Sequence, residues 1–174
     1  MKRKPPRPGI SVCIRRRLFA AARHAHALVV AADMPLLSEA LLRWISAKRG
    51  RVAPDLFIPL AELTGRIQDL TRFALNAALR QAAEWPVEFH PLHVAINVSP
   101  KTIAQGELFE LVRDALTLWE VAPDRLCIEV TESTLMSNPR ATFDVLEGLR
   151  ALGCHVAIDD FGAGYSSLAY FKNI

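Results

Sequence analysis

The chain has 174 residues, long enough for one domain with a substantial core. Of these, 51% are hydrophobic and 22% charged, a globular balance that excludes a disordered chain. The net charge of +3 is unevenly spread: residues 1–23 carry Lys and Arg and no acid, and the remainder is mildly acidic. The basicity belongs to a tail, so no nucleic-acid polymer is expected as a partner. Cys13, Cys127 and Cys154 are odd in number and widely spaced. That gives neither a disulfide framework nor a zinc pattern, and a reducing, cytoplasmic setting is expected. No apolar run reaches the roughly 18 residues of a membrane span. Leu18–Ala32 comes nearest, but Arg23, His24 and His26 interrupt it and make it a poor signal peptide too. No membrane association is expected.

Residues 1–35 read as an irregular basic segment, and residues 36–174 as the orderly domain. "MKRKPPRPG" is a proline-rich, solvated tail. "IRRRLFAAARHAHALVVAA" has helical propensity but neither a cap nor an amphipathic stripe. The first strand is expected around Leu36–Leu42, in "LSEALLRW". "GRVAPDLFIPLAELTG" is a loop and a short helical turn. "RIQDLTRFALNAALRQAAEW" predicts a helix with Ile67, Leu70, Phe73, Ala74, Ala77 and Ala78 on its inner side.

Three similar units follow. Strands are expected over Leu92–Val98, Leu126–Val130 and Val156–Asp159. Helices lie between them, around Glu107–Glu120 and Pro139–Leu152, the second stopped by Gly153. Alternation at about 30 residues per unit predicts βαβ connections and a parallel sheet. Each unit ends its strand in oxygen-bearing side chains: Asn97, then Glu129 and Glu132, then Asp159 and Asp160. In a barrel of parallel strands those ends open on one face, where active sites are built. Glu39 joins them if its run is also a barrel strand. An Asn amide and several carboxylates are hard oxygen ligands, suited to magnesium, manganese or calcium and not to zinc. Two such ions about 3.5–4 Å apart can activate water against a phosphodiester. "FGAGYSSL" after Asp160 reads as a strand-to-helix loop beside that site. The histidines read as ordinary surface or strand-start residues, and Trp44, Trp85 and Trp119 as core.

Taken in order and spacing, "EALLRW", "PDLFIPLAELTG", "NVS", "EVTES" and "DDFGAGYSSL" resemble the EAL domain. This is the bacterial phosphodiesterase domain that cleaves cyclic di-GMP to linear pGpG. The resemblance runs from about Ser38 to Ile174. It implies an α/β fold, a TIM-like (β/α) barrel, of which this chain holds about the second to fifth strands. It implies Mg²⁺ or Mn²⁺ held by Glu39, Asn97, Glu129, Asp159 and Asp160. Catalytic roles fall on Glu39, Asp159, Asp160 and Glu132, the last as the glutamate that steadies the glycine-rich loop. Arg43 matches the arginine that holds a substrate phosphate.

The family's later Lys-Ile-Asp motif, metal-binding glutamate and glutamine are not in this sequence, nor is its opening Tyr-Gln-Pro-Ile-like strand. The chain is therefore expected to be truncated at both ends and inactive by itself, although the domain it resembles is a cyclic di-GMP phosphodiesterase. The alternative is a degenerate module that binds cyclic di-GMP or a protein without hydrolysis. Cyclic di-GMP is the expected ligand. A second copy or a partner protein is expected to cover the unclosed sheet edges.

Overall fold

The structure, a computed structural model, describes residues 9–17, 37–46, 50–85 and 92–159, with side chains from Val52 onward in those stretches. Asp160 and the "FGAGYSSL" loop lie outside the described residues. So do the side chains of Glu39, Arg43 and Trp44.

Six strands form one sheet. β1 (Gly9–Arg17) pairs antiparallel with β2 (Leu37–Ser46) over its whole length, from Gly9↔Ile45 to Arg17↔Leu37. A short β3 (Gly50–Val52) folds back antiparallel onto the end of β2. β4 (His93–Asn97), β5 (Leu126–Thr131) and β6 (His155–Asp159) then run parallel to β2, in the order β1-β2-β4-β5-β6. Helices fill the crossovers: α1 (Pro54–Leu63), α2 (Ile67–Ala83), α3 (Pro100–Ala104), α4 (Leu108–Trp119), α5 (Glu132–Ser137) and α6 (Pro139–Leu152).

The three βαβ strands lie within a residue or two of the expected positions, because their apolar runs are bounded by turn residues and sit at crossover spacing. The front of the chain differs from expectation. Residues 9–17 form a strand where a tail and a helix-prone run were read. Ile10, Val12 and Ile14 alternate with Ser11, Cys13 and Arg15, and that period of two belongs to a strand. Across a long antiparallel ladder it outweighs the helical propensity of the arginines at its end. Six strands are thus described where four were expected.

The core lies between the sheet and α2, α4 and α6. Leu75, Leu79, Val94, Ile96, Leu108, Val112, Leu126, Ile128, Val130 and Leu149 are buried within it. In α2 the inner face is Ile67, Thr71, Ala74, Leu75, Ala78, Leu79 and Ala82. The expected set stepped by three from Ile67 through Leu70 to Phe73. At 100° per residue such steps drift off the face, and Phe73 ends 40% exposed. Phe143 is only partly buried against the core, while Leu146 and Leu149 point inward as expected. Trp85 and Trp119 pack against the core. Each is also tied in place: Trp119 donates its indole N–H to Asn76 Oδ1 at 2.9 Å, and Arg125 lies 5.5 Å over the Trp85 ring.

Candidate functional site at the strand ends

Alternate residues of a strand face opposite sides of the sheet. Val94 and Ile96 of β4, and Leu126, Ile128 and Val130 of β5, face the helices. The intervening residues lie on the other face, where Ala95 and Cys127 form a small cluster with Ala157. Asn97 and Glu129 continue those two rows to the carboxyl ends of their strands. Parallel register places them opposite each other, Asn97↔Glu129, and sets Thr131 opposite Asp159 on the next pair.

The side chains use that proximity. Asn97 Nδ2 donates to Glu129 Oε2 at 3.0 Å, linking residues 32 apart in sequence. Asn97 and Asp159 are exposed and Glu129 is half-buried. Glu132 opens α5 and is 7% exposed, so a carboxylate is buried directly behind the strand end. Beside it Thr131 Oγ1 bonds Ser133 Oγ at 3.0 Å and Thr134 Oγ1 at 2.8 Å. Glu39 is placed by its backbone alone, at the register position beside Ala95. Arg43 lies further along β2, paired with Ser11 of β1.

Of the expected site residues, the structure brings Asn97 and Glu129 into contact and puts Asp159 at the end of the adjacent strand. Among the described residues no three His, Cys, Asp or Glu side chains are gathered closely enough to hold a metal ion. The chemistry of the pair still fits a hard cation: an amide and a carboxylate on neighbouring strand ends offer oxygen donors only. The histidines stay apart from this site. His93 and His155 begin β4 and β6 and meet edge-to-face with ring centroids 5.1 Å apart. Both are strand-start residues, one of the two readings the sequence left open, and His93 is buried rather than on the surface.

Sequence reasoning passed over Glu62, Ser99 and Lys101. Ser99 caps α3, accepting from Lys101 N at 3.2 Å, and donates to Glu62 Oε1 at 2.5 Å. The Ser-Pro pair at the end of "NVSP" is a helix-start signal that would have found the cap. No local signal points to Glu62, which lies 37 residues away.

The sequence model of the EAL domain matches residues 26–174. The chain belongs to the EAL domain family. That match begins ten residues before the boundary expected at residue 36. Among curated proteins, the bifunctional diguanylate cyclase/cyclic di-GMP phosphodiesterase MucR of Pseudomonas aeruginosa is 40% identical over 153 residues. These are 87% of this chain and 22% of that protein. The cyclic di-GMP phosphodiesterase NbdA of the same organism is 42% identical over 137 residues, 78% of this chain and 18% of that protein. Among solved structures, the MucR phosphodiesterase in complex with cyclic di-GMP superposes with a TM-score of 0.74 at 42% identity. The alignment covers 79% of this chain and 56% of that one. The chain thus spans about a fifth of the length of these curated relatives, and its mixed α/β arrangement with parallel strands matches part of a solved EAL phosphodiesterase.

Proposed function

We propose that this EAL chain contributes the substrate and metal face of a divalent-metal-dependent cyclic di-GMP phosphodiesterase. The observation that carries the reading is the Asn97–Glu129 contact at the paired carboxyl ends of β4 and β5. It joins two of the family's motifs, "NVS" and "EVTES", into one polar site. The MucR phosphodiesterase, at 42% identity, is a cyclic di-GMP complex.

In this reading Asn97, Glu129 and Asp159, with Glu39 and Asp160, hold Mg²⁺ or Mn²⁺. The cation would neutralise phosphate oxygens and make a nearby water more acidic. Arg43 binds a phosphate of the dinucleotide by paired N–H donors. Glu132, buried at the start of α5, steadies the loop after Asp160. Linearising cyclic di-GMP adds one water across one P–O bond. The water oxygen joins phosphorus, the P–O bond to one ribose breaks, and a proton from the water passes to the departing ribose oxygen, which becomes a hydroxyl.

A second reading has its own support. The similar MucR phosphodiesterase and the EAL enzyme Bd1971 are both solved with cyclic di-GMP bound, which suits a module that binds without turnover. Equilibrium titration with cyclic di-GMP, with and without Mn²⁺, followed by chromatography for pGpG, separates the two. The expected result is Mn²⁺-dependent binding that Glu129→Gln weakens at least tenfold, about 1.4 kcal/mol. Appearance of pGpG identifies the hydrolase; binding alone identifies the module. Affinity indifferent to both Mn²⁺ and Glu129→Gln would sink both.

A further inference from the structure

We propose that Glu62 is a positioning residue for Asn97, acting through Ser99 and Lys101. The proposal rests on the metal-site reading above and deepens it. Asn97 ends β4, and Val98 and Ser99 are the only residues between it and α3. That short loop is held from two sides. On one side Val98 N–H donates to the Glu129 carbonyl at 2.9 Å, binding the loop to β5. On the other, Ser99 Oγ donates to the Glu62 carboxylate, and Lys101 Nζ donates to the Glu62 carbonyl at 3.2 Å.

A helix cap alone does not need Glu62. Ser99 already accepts the Lys101 N–H, which satisfies the cap. In the reciprocal capping arrangement the acid comes from the third residue of the same helix. That position here is Thr102, and the acid comes instead from α1. The hydroxyl's single proton goes to Glu62 while its lone pair takes the N–H, so one side chain serves both elements. An O–H donor to a carboxylate makes a strong, charge-assisted bond.

The other end of this bracket matters as much. α1 follows β3, which pairs with β2, the strand carrying Glu39 and Arg43. Its apolar packing is thin: Phe57 and Ala61 are buried, whereas Leu56, Leu60 and Leu63 are 68%, 53% and 79% exposed. Beside the buried Phe57 and Ala61, the last turn of α1 is tied to the start of α3 by the polar contacts of Glu62. Removing them frees the loop that aims the Asn97 amide, and loosens the β2 module against β4.

The Asn97 side-chain amide gives a direct readout by NMR on the full chain. In the metal-free protein, Glu62→Ala is expected to shift and broaden the Asn97 Hδ2 pair. It should also weaken Mn²⁺ binding, read by paramagnetic broadening, by about tenfold, as for outer-shell groups. Glu62→Gln keeps an acceptor oxygen for Ser99 and should restore most of both. Ser99→Ala is read in the same way, and replaces Glu62→Ala should that variant unfold. Asn97 resonances and Mn²⁺ affinity within twofold of the unsubstituted chain, in the folded variants, would overturn the proposal. Failure of Mn²⁺ to broaden Asn97 in the unsubstituted chain would sink the metal reading instead. The metal-free spectra would then decide the role of Glu62.

Discussion

Cys127, in β5 opposite His155, and Cys154, directly before β6, are both buried. Burial disfavours the thiolate, so the Cys127 thiol is pushed up from an ordinary 9.0 to about 12, with the nearby Glu129 carboxylate and Cys154 adding to the rise. Burial alone pushes Cys154 up to about 11. The thiolate is the reactive form. With iodoacetamide at pH 8, modification of these two sites is therefore expected to wait on unfolding, as peptide mapping would show. The same shifts set a pH window. The folded chain holds each proton more tightly than the unfolded one, so this contribution is complete below pH 9 and is lost as pH rises toward 11 and 12. The denaturation midpoint should fall across that window, and fall less in Cys127→Ala. Equal slopes in the two proteins would show that the Cys127 thiol does not carry the effect.

Two helices end in the same way on different residues. α6 closes with Gly153 at φ 106°, where Gly153 N bonds Arg150 O at 2.9 Å and Cys154 N bonds Leu149 O at 3.0 Å. α4 closes with the same pair, Glu120 N to Thr117 O at 3.4 Å and Val121 N to Leu116 O at 3.1 Å. Its left-handed residue is Glu120, at φ 52°. A side chain there costs about 1–2 kcal/mol, partly offset by the freedom glycine has when unfolded. Glu120→Gly should therefore raise the melting temperature by about 2–4 °C, the shift that about 1 kcal/mol gives a domain of this size. Gly153→Ala should lower it, since a Cβ would also stand 3.3 Å from Pro123 Cβ. A calorimetric scan showing no rise for Glu120→Gly would mean that the α4 terminus is held by something other than backbone strain. The Gly153 stop was legible in sequence because glycine announces a left-handed residue. The Glu120 stop was placed but not explained, because no residue type marks a strained position. β1 was missed for a related reason: alternating Ile and Val among arginines looks irregular until the partner strand is known. Asn97 and Glu129 were legible as a pair only through the repeated βαβ spacing. Glu62 belongs to no repeat, and its partner is distant.

At the scale of the molecule, the two faces of the sheet are lined differently, although Ala95 and Cys127 on one are as buried as Val94 and Ile128 on the other. The helix side is closed by long apolar side chains from α2, α4 and α6. The other face, over β4 to β6, offers Ala95, Cys127 and Ala157, all small. β6 is half-buried from His155 to Ile158, although parallel strands between helix layers are normally buried on both faces. Among the described residues β6 is also the last strand on its side of the sheet. A strand at the edge of a sheet can template pairing with another chain. Exposed Leu56, Leu60 and Leu63 on α1 add apolar surface elsewhere. The 174-residue chain in isolation is therefore expected to associate as its concentration rises and to bind a hydrophobic dye. Sedimentation across roughly a tenfold concentration range checks the first. An inward-pointing charge is one way natural sheets protect an edge, so Ala157→Lys, if circular dichroism shows it folded, should shift the distribution toward monomer. A monodisperse monomer with one sharp unfolding transition and no dye binding would refute this expectation. It would show that β6 is covered within a single copy.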